Sequence, residues 1–250
     1  MANEIAIWNK VLTSVMQMPG VKVTRESFLT EKLSIYCTGS QLSLVLETGT
    51  MGNVNMSVLD EIANECIKQH TILATSASTL MGIPGGLAML GTIPGDVAQY
   101  YYHVCVLAQK LAYIYGYPDL CDENGRFTDS AANLLTVFVG LMGGVAAAQK
   151  VIQEVAEQAQ KELLKRLPRF ALTKGFIYPL VKQVAKWIGV SLTKQSFAKG
   201  VSKIVPVLGG IVSGGLTYVT FRLQAKKLMG NLKGTMMLAY ENKNSKCTDQ

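Results

Sequence analysis

Asp96, Tyr100 and His103 recur at i, i+4 and i+7, so a helix opening at Asp96 carries all three on one face. A carboxylate that orients an imidazole, with a phenol one turn away, is a set of groups able to ligate a metal or move a proton. The plainer reading is preferred: Asp96 starts the helix, and Tyr100 and His103 make hydrogen bonds within a core. The chain has two histidines, His70 and His103, and neither stands in an H-E-x-x-H motif or beside paired cysteines. With no G-x-S-x-G elbow and no G-x-x-x-x-G-K-[ST] loop, no catalytic residue, metal ligand or cofactor is assigned.

The elements that must hold these residues are dominated by three uncharged runs, residues 71–95, 130–149 and 204–221. About 20 apolar residues suffice to cross a bilayer as a helix, but Pro84, Gly85, Gly86 and Pro94 interrupt the first run and disfavour a straight span. Pro206, Gly209, Gly210, Gly214 and Gly215 repeat that grammar in the third. Both read as broken apolar helical hairpins. Gly82 with Gly86, Gly91 with Gly95, Gly140 with Gly144 and Gly210 with Gly214 stand four residues apart, a spacing that lets helix backbones approach closely in a membrane or in a soluble bundle. Pro84, Gly85, Gly86, Pro94, Gly140, Gly144, Pro206, Gly210 and Gly214 are therefore the candidate hairpin or membrane-contact residues.

Elsewhere the apolar spacing is helical. Ile5, Trp8, Leu12 and Val15 predict a helix over 3–17, ended by Pro19 and Gly20. Thr24 is the expected cap of a helix over 25–36, and Ser57 with Asp60 caps one over 57–79. Residues 41–47 fit strand or helix by propensity, and the turn chemistry around them favours a short helix. Asp96 opens a helix to Tyr115, and 120–126 reads as a polar loop. A small-residue helix from Thr128 or Ser130 is expected to continue amphipathically to Leu167. Further helical turns are expected over 174–189 and 194–203, and a last helix over 216–240. No βαβ rhythm is visible, so the expected fold is an all-α multi-helix bundle: one helical domain over 1–240 and a polar tail over 241–250.

Charge is unevenly placed. Residues 1–149 hold 7 Lys/Arg against 12 Asp/Glu, whereas 150–203 hold 11 against 3 and 222–233 add four cations. A cationic stretch beside apolar helices attracts anionic headgroups, each Lys or Arg contributing about 1 kcal/mol. Lys161, Lys165, Arg166 and Arg169 are the candidate contacts to lipid phosphate. Nucleic acid is not expected as a partner, because no recognition motif is legible and the basic stretch lacks interleaved aromatics for stacking. Five scattered cysteines without a C-x-x-C pair, and a start without a basic n-region and apolar h-region, predict reduced thiols in a protein kept inside the cell.

The segments MPGVKVTRESFL, IPGDVAQYYYHV with IYGYPDL, and IVPVLGGIVSGGLTYVTFRLQAKKL together resemble the EcsC family of bacterial proteins over about residues 19–228. Arg25, Phe28 and Leu29 match that family's Arg-x-x-Phe-Leu helix start, and Tyr115, Gly116 and Tyr117 match its Tyr-Gly-Tyr. Pro94 and Asp96 stand closer together than in the family's Pro-x-x-Asp, and Pro118 intervenes before Asp119. The resemblance implies a bacterial, mostly helical protein of a family named for a member associated with an ABC-transporter system, without an agreed catalytic activity. A remoter likeness is to the hydrophobic domains appended to some bacterial GTPases.

The expected function is thus non-enzymatic, at the inner face of the cytoplasmic membrane, with anionic lipids and possible protein partners and a possible accessory role in transport or secretion. Two alternatives stand beside it. One is a soluble bundle that binds an apolar small molecule or lipid, and the other is a metal-dependent enzyme built on Asp96, Tyr100 and His103.

Overall fold

Short polar side chains cap three of the helix starts, at Thr38, Asn55 and Thr128. The computed structural model describes residues 2–76, 95–122, 124–162, 177–197 and 214–248. Among them stand nine helices: α1 (Ala2–Met16), α2 (Arg25–Leu33), α3 (Gly39–Thr48), α4 (Met56–Thr75), α5 (Gly95–Ile114), α6 (Asp129–Gly143), α7 (Ala146–Glu162), α8 (Ile177–Phe197) and α9 (Gly214–Thr248). The molecule is all-α, and the one β feature among the described residues is an isolated bridge between Cys121 and Phe127.

Thr38 opens α3 with a reciprocal capping box: its Oγ1 accepts from the Gln41 N–H, and Gln41 Oε1 accepts from the Thr38 N–H at 2.9 Å. This settles 41–47 as helix. α4 starts at Met56 because Asn55 Oδ1 accepts the Ser57 N–H at 3.0 Å, so the cap is Asn55 and not Ser57 with Asp60. Thr24 marks the start of α2 as expected, but its side chain caps nothing. The first N–H of that helix, on Arg25, is instead taken by Asp119 Oδ2 at 3.1 Å.

The core is built around α5 and α6. Residues 130, 131 and 134–142 of α6 are all buried, so the uncharged run over 130–149 supplies the centre of a protein bundle. The expected continuous helix from this run to Leu167 is broken at Gly144, which adopts φ 78 and returns its N–H to the carbonyls of Gly140 and Leu141. A left-handed residue ends a helix, so Gly140 and Gly144 do not line one helical face. Close approach uses Gly140 without Gly144, together with Gly189 on α8. A Cβ on Gly140 would collide with Val184, and one on Gly189 with the backbone of Glu4, which lets α8 lie tightly on both α6 and α1. That is also why Gly189 does not end a helix: α8 runs through it unbroken. At the other extreme α9 reaches Thr248, past the point where a polar tail was expected.

Helix directions follow from individual contacts. Asp60 meets Lys233 and Asn64 meets Lys226, so α4 and α9 are antiparallel. Tyr100 bonds Gln224, whereas Tyr117, just beyond α5, bonds Thr235, so α5 and α9 are parallel. Trp8 stacks edge-on against Tyr101 at 5.1 Å and donates to Thr136 Oγ1 at 3.0 Å, which ties the first half of α1 to α5 and α6.

Candidate functional site

α4 buries the stripe Leu59, Ile62, Ala63, Cys66, Ile67 and His70, and His70 is the one imidazole on that apolar face. It meets α5, on which His103 and Lys110 stand two turns apart. His70 Nδ1 lies 3.3 Å from His103 Nδ1, and Lys110 Nζ lies 3.1 Å from His70 Nε2. An ammonium only donates, so His70 Nε2 accepts and its proton sits on Nδ1. That N–H then donates to His103 Nδ1, which leaves the His103 proton on Nε2. The result is a directed chain from a half-buried lysine to a buried imidazole. Its last donor, His103 Nε2, is buried without a hydrogen-bond partner.

Burial, then the nearby Lys110 charge, push the imidazoles down to about 3 for His70 and about 4 for His103, with His103 itself adding to the effect on His70. Both are neutral at pH 7. Burial also lowers the Lys110 ammonium, which stands 5.9 Å above the Phe28 ring with Cys66, Lys32, Glu31 and Glu65 around it. Among the described residues no group of three His, Cys, Asp or Glu side chains is placed to hold a metal ion.

The expected face of Asp96, Tyr100 and His103 does not form one constellation. Tyr100 donates to Gln224 Oε1 at 2.5 Å and packs edge-on against Phe221, both on α9, whereas His103 turns to α4. Positions i and i+3 share a side of a helix but are still separated by about 60° of arc, enough to address different neighbours. Asp96 lies in the first turn of α5, and its side chain is outside the described residues. His70, which bonds His103, and Lys110, which donates to His70 in turn, were missed. The available signal was a lone imidazole on the apolar stripe of α4 and the seven-residue spacing of His103 and Lys110.

The segment after α5 forms a second polar knot. Tyr113 donates to Asp119 Oδ1 at 3.1 Å, Tyr115 to Asp60 Oδ1 at 2.8 Å, and Tyr117 shares a 2.6 Å hydrogen bond with Thr235. Asp119 also accepts the Cys121 N–H at 2.9 Å, and Asp60 accepts from Lys233 at 2.6 Å. Arg25, buried, donates through Nη1 to the Leu46 carbonyl at 3.2 Å, and desolvation lowers its guanidinium while Asp119 supports the charge. The first two segments of the family-like pattern thus meet in space at Arg25 and Asp119. With both carboxylate oxygens and all three phenols engaged, the knot is a clamp joining α2, α4 and α9 to the end of α5.

The ends of the described stretches also have a common position. Gln99 Nε2 donates at 3.3 Å to the carbonyls of Leu73 and Ser76, which joins the end of α4 to the start of α5. Phe221 and Gln224 bring the start of α9 to the same place. Gly189 rests on Glu4 in the first turn of α1, so the last two turns of α8 project past that end as well. Ser76, Gly95, Phe197 and Gly214, the residues that flank 77–94 and 198–213, therefore lie at one end of the bundle. Pro84, Gly85, Gly86, Pro94, Pro206 and Gly210 lie outside the described residues, as do Lys165, Arg166 and Arg169; Gly214 opens α9, and Lys161 belongs to α7 with its side chain outside them. Among the described residues no helix is long and apolar enough to cross a membrane. Compared with family models, curated proteins and solved structures, the chain matches none.

Proposed function

We propose that this is a non-enzymatic helical protein of the EcsC type that seats one end of its bundle on the inner face of the bacterial cytoplasmic membrane, as an accessory to a transport or secretion system. The observation that carries the reading is the shared position of the four flanking residues Ser76, Gly95, Phe197 and Gly214. The stretches between them, 77–94 and 198–213, hold the Pro/Gly-interrupted apolar sequence and two cations, Lys199 and Lys203, without an acidic residue. A headgroup region favours sequence of this apolar and cationic composition, and the described chain enters and leaves both stretches at one end of the bundle. The clamp at Asp119 and Asp60, at the other end of α5, keeps three of the helices that set this geometry, α4, α5 and α9, in register.

Membrane fractionation tests it. The protein is expected to sediment with membranes at low salt and to resist a salt wash in part, because apolar contact is insensitive to screening. A protein found wholly in the soluble fraction, and equally indifferent to anionic and neutral vesicles, would sink the reading.

A second reading, a small molecule held inside the bundle, has one observation in its favour: the buried His103 Nε2–H has no partner. Native mass spectrometry decides it, since a ligand retained by the folded protein and lost from His103→Leu supports it and a clean apo mass counts against it.

A further inference from the structure

The antiparallel contact of α4 with α9 leaves a seam on the outside of the bundle, close to the end just described. On α9 the exposed residues Val219, Arg222, Leu223 and Lys226 follow each other at helical spacing, whereas Lys227 turns its Nζ away from α4 toward Gly144. On α4, Lys68 and Ile72 stand on the same side as Asn64 and Asp60, which contact α9, and the pairing of Asp60 with Lys233 and Asn64 with Lys226 brings Ile72 opposite Val219. Ile72, Val219 and Leu223 are 48%, 53% and 66% exposed, too much for side chains that merely border a core.

Lys32 pairs with Glu31 and Glu65, Arg126 with Asp122, and Lys233 with Asp60, but among the described residues none of Lys68, Arg222 and Lys226 has an acidic partner. Lys226 reaches the amide oxygen of Asn64. Three such cations around three exposed aliphatic side chains fit a surface that presents negative charge with apolar material directly beneath it. Nucleic acid presents the charge without the apolar layer.

We propose that the α4–α9 seam is the surface that recognises anionic phospholipid, with Lys68, Arg222 and Lys226 on headgroup phosphates and Ile72, Val219 and Leu223 at the acyl boundary. This deepens the reading that one end of the bundle meets a bilayer and rests on it.

Vesicle co-sedimentation of the full chain, with phosphatidylcholine alone and with phosphatidylcholine mixed with phosphatidylglycerol, tests the assignment. The wild type is expected to bind the mixed vesicles far more tightly. A variant carrying Lys68→Gln, Arg222→Gln and Lys226→Gln is expected to lose about fivefold in partitioning per charge, about a hundredfold together. A control with Lys10→Gln, Lys150→Gln and Lys182→Gln changes net charge equally and is expected to keep the preference. All six positions are exposed, and an unchanged melting curve confirms that each variant is folded. If the wild type binds mixed vesicles and the seam variant binds them as well, or the control loses as much, the seam is wrong while the bundle-end reading stands. If the wild type binds neither vesicle, that broader reading fails. Equal affinity for a short DNA duplex, lost in the same variant, would overturn the assignment to lipid.

Discussion

At the residue scale, the buried histidine pair makes a signed prediction. Both imidazoles sit below their ordinary value, at about 3 and about 4, so as pH falls from 6.5 the unfolded chain takes up their protons first. The stability they confer is complete above 6.5 and is lost as pH falls toward 3, each contributing up to about 1.4 kcal/mol per pH unit over its window. Urea midpoints measured from pH 7 to pH 4 should show this decline, and His103→Gln should flatten it; a slope unaffected by that change would contradict the tautomer chain. Protonation of His103 would set an N–H against the N–H of His70 and add charge beside Lys110, which is the physical reason for the cost. Asp119 offers a second test. Asp119→Ala removes the acceptor for the Arg25 N–H, Tyr113 and the Cys121 N–H and leaves a buried guanidinium without its counter-charge, for a loss of about 3 kcal/mol in chemical denaturation.

At the element scale, the close passage of α8 over α1 and α6 depends on missing side chains. Gly189→Ala drives a methyl group into the Glu4 backbone, which cannot yield as a flexible side chain would, and is expected to cost about 1–3 kcal/mol. Gly144→Ala strains a left-handed helix end and should cost about 1–2 kcal/mol. Thermal melting distinguishes these from Gly230→Ala on α9, where a Cβ meets nothing within 4 Å and helix propensity predicts a small gain. A Gly189→Ala protein as stable as wild type would mean that α8 does not lie as described.

At the scale of the whole molecule, one end of the bundle is held by polar chemistry and the other gathers the ends of the described stretches. The clamp of Asp119, Asp60 and the tyrosines ties α2, α4, α5 and α9 together, so truncating it should loosen the opposite end without touching it. Tyr115→Phe with Tyr117→Phe removes two buried hydrogen bonds, Tyr115 to Asp60 and Tyr117 to Thr235, and is expected to cost about 1–3 kcal/mol. Because neither residue belongs to the seam, the folded fraction of that variant should still prefer anionic vesicles, and a lost preference would mean that the two ends are coupled.

The helical class, most helix positions and the breaks at Pro19 and at 116–118 were legible in the sequence because apolar period and turn chemistry are local. Thr128 announced its helix for the same reason. What remained hidden depends on which surfaces meet. The uncharged run at 130–149 has the composition of a membrane segment, and only its enclosure by α1, α5, α7, α8 and α9 makes it a core. Gly140 and Gly144 have identical local signals, yet one faces Val184 and the other turns the chain. Likewise Tyr100 and His103 share a helix side by count, but the neighbours α9 and α4 divide them, and His70, 33 residues earlier, completes the cluster. Spacing along one helix specifies which residues are adjacent on its surface; tertiary packing alone decides which partner each one meets, because hydrogen bonding and desolvation act on distances between elements that are remote in the chain.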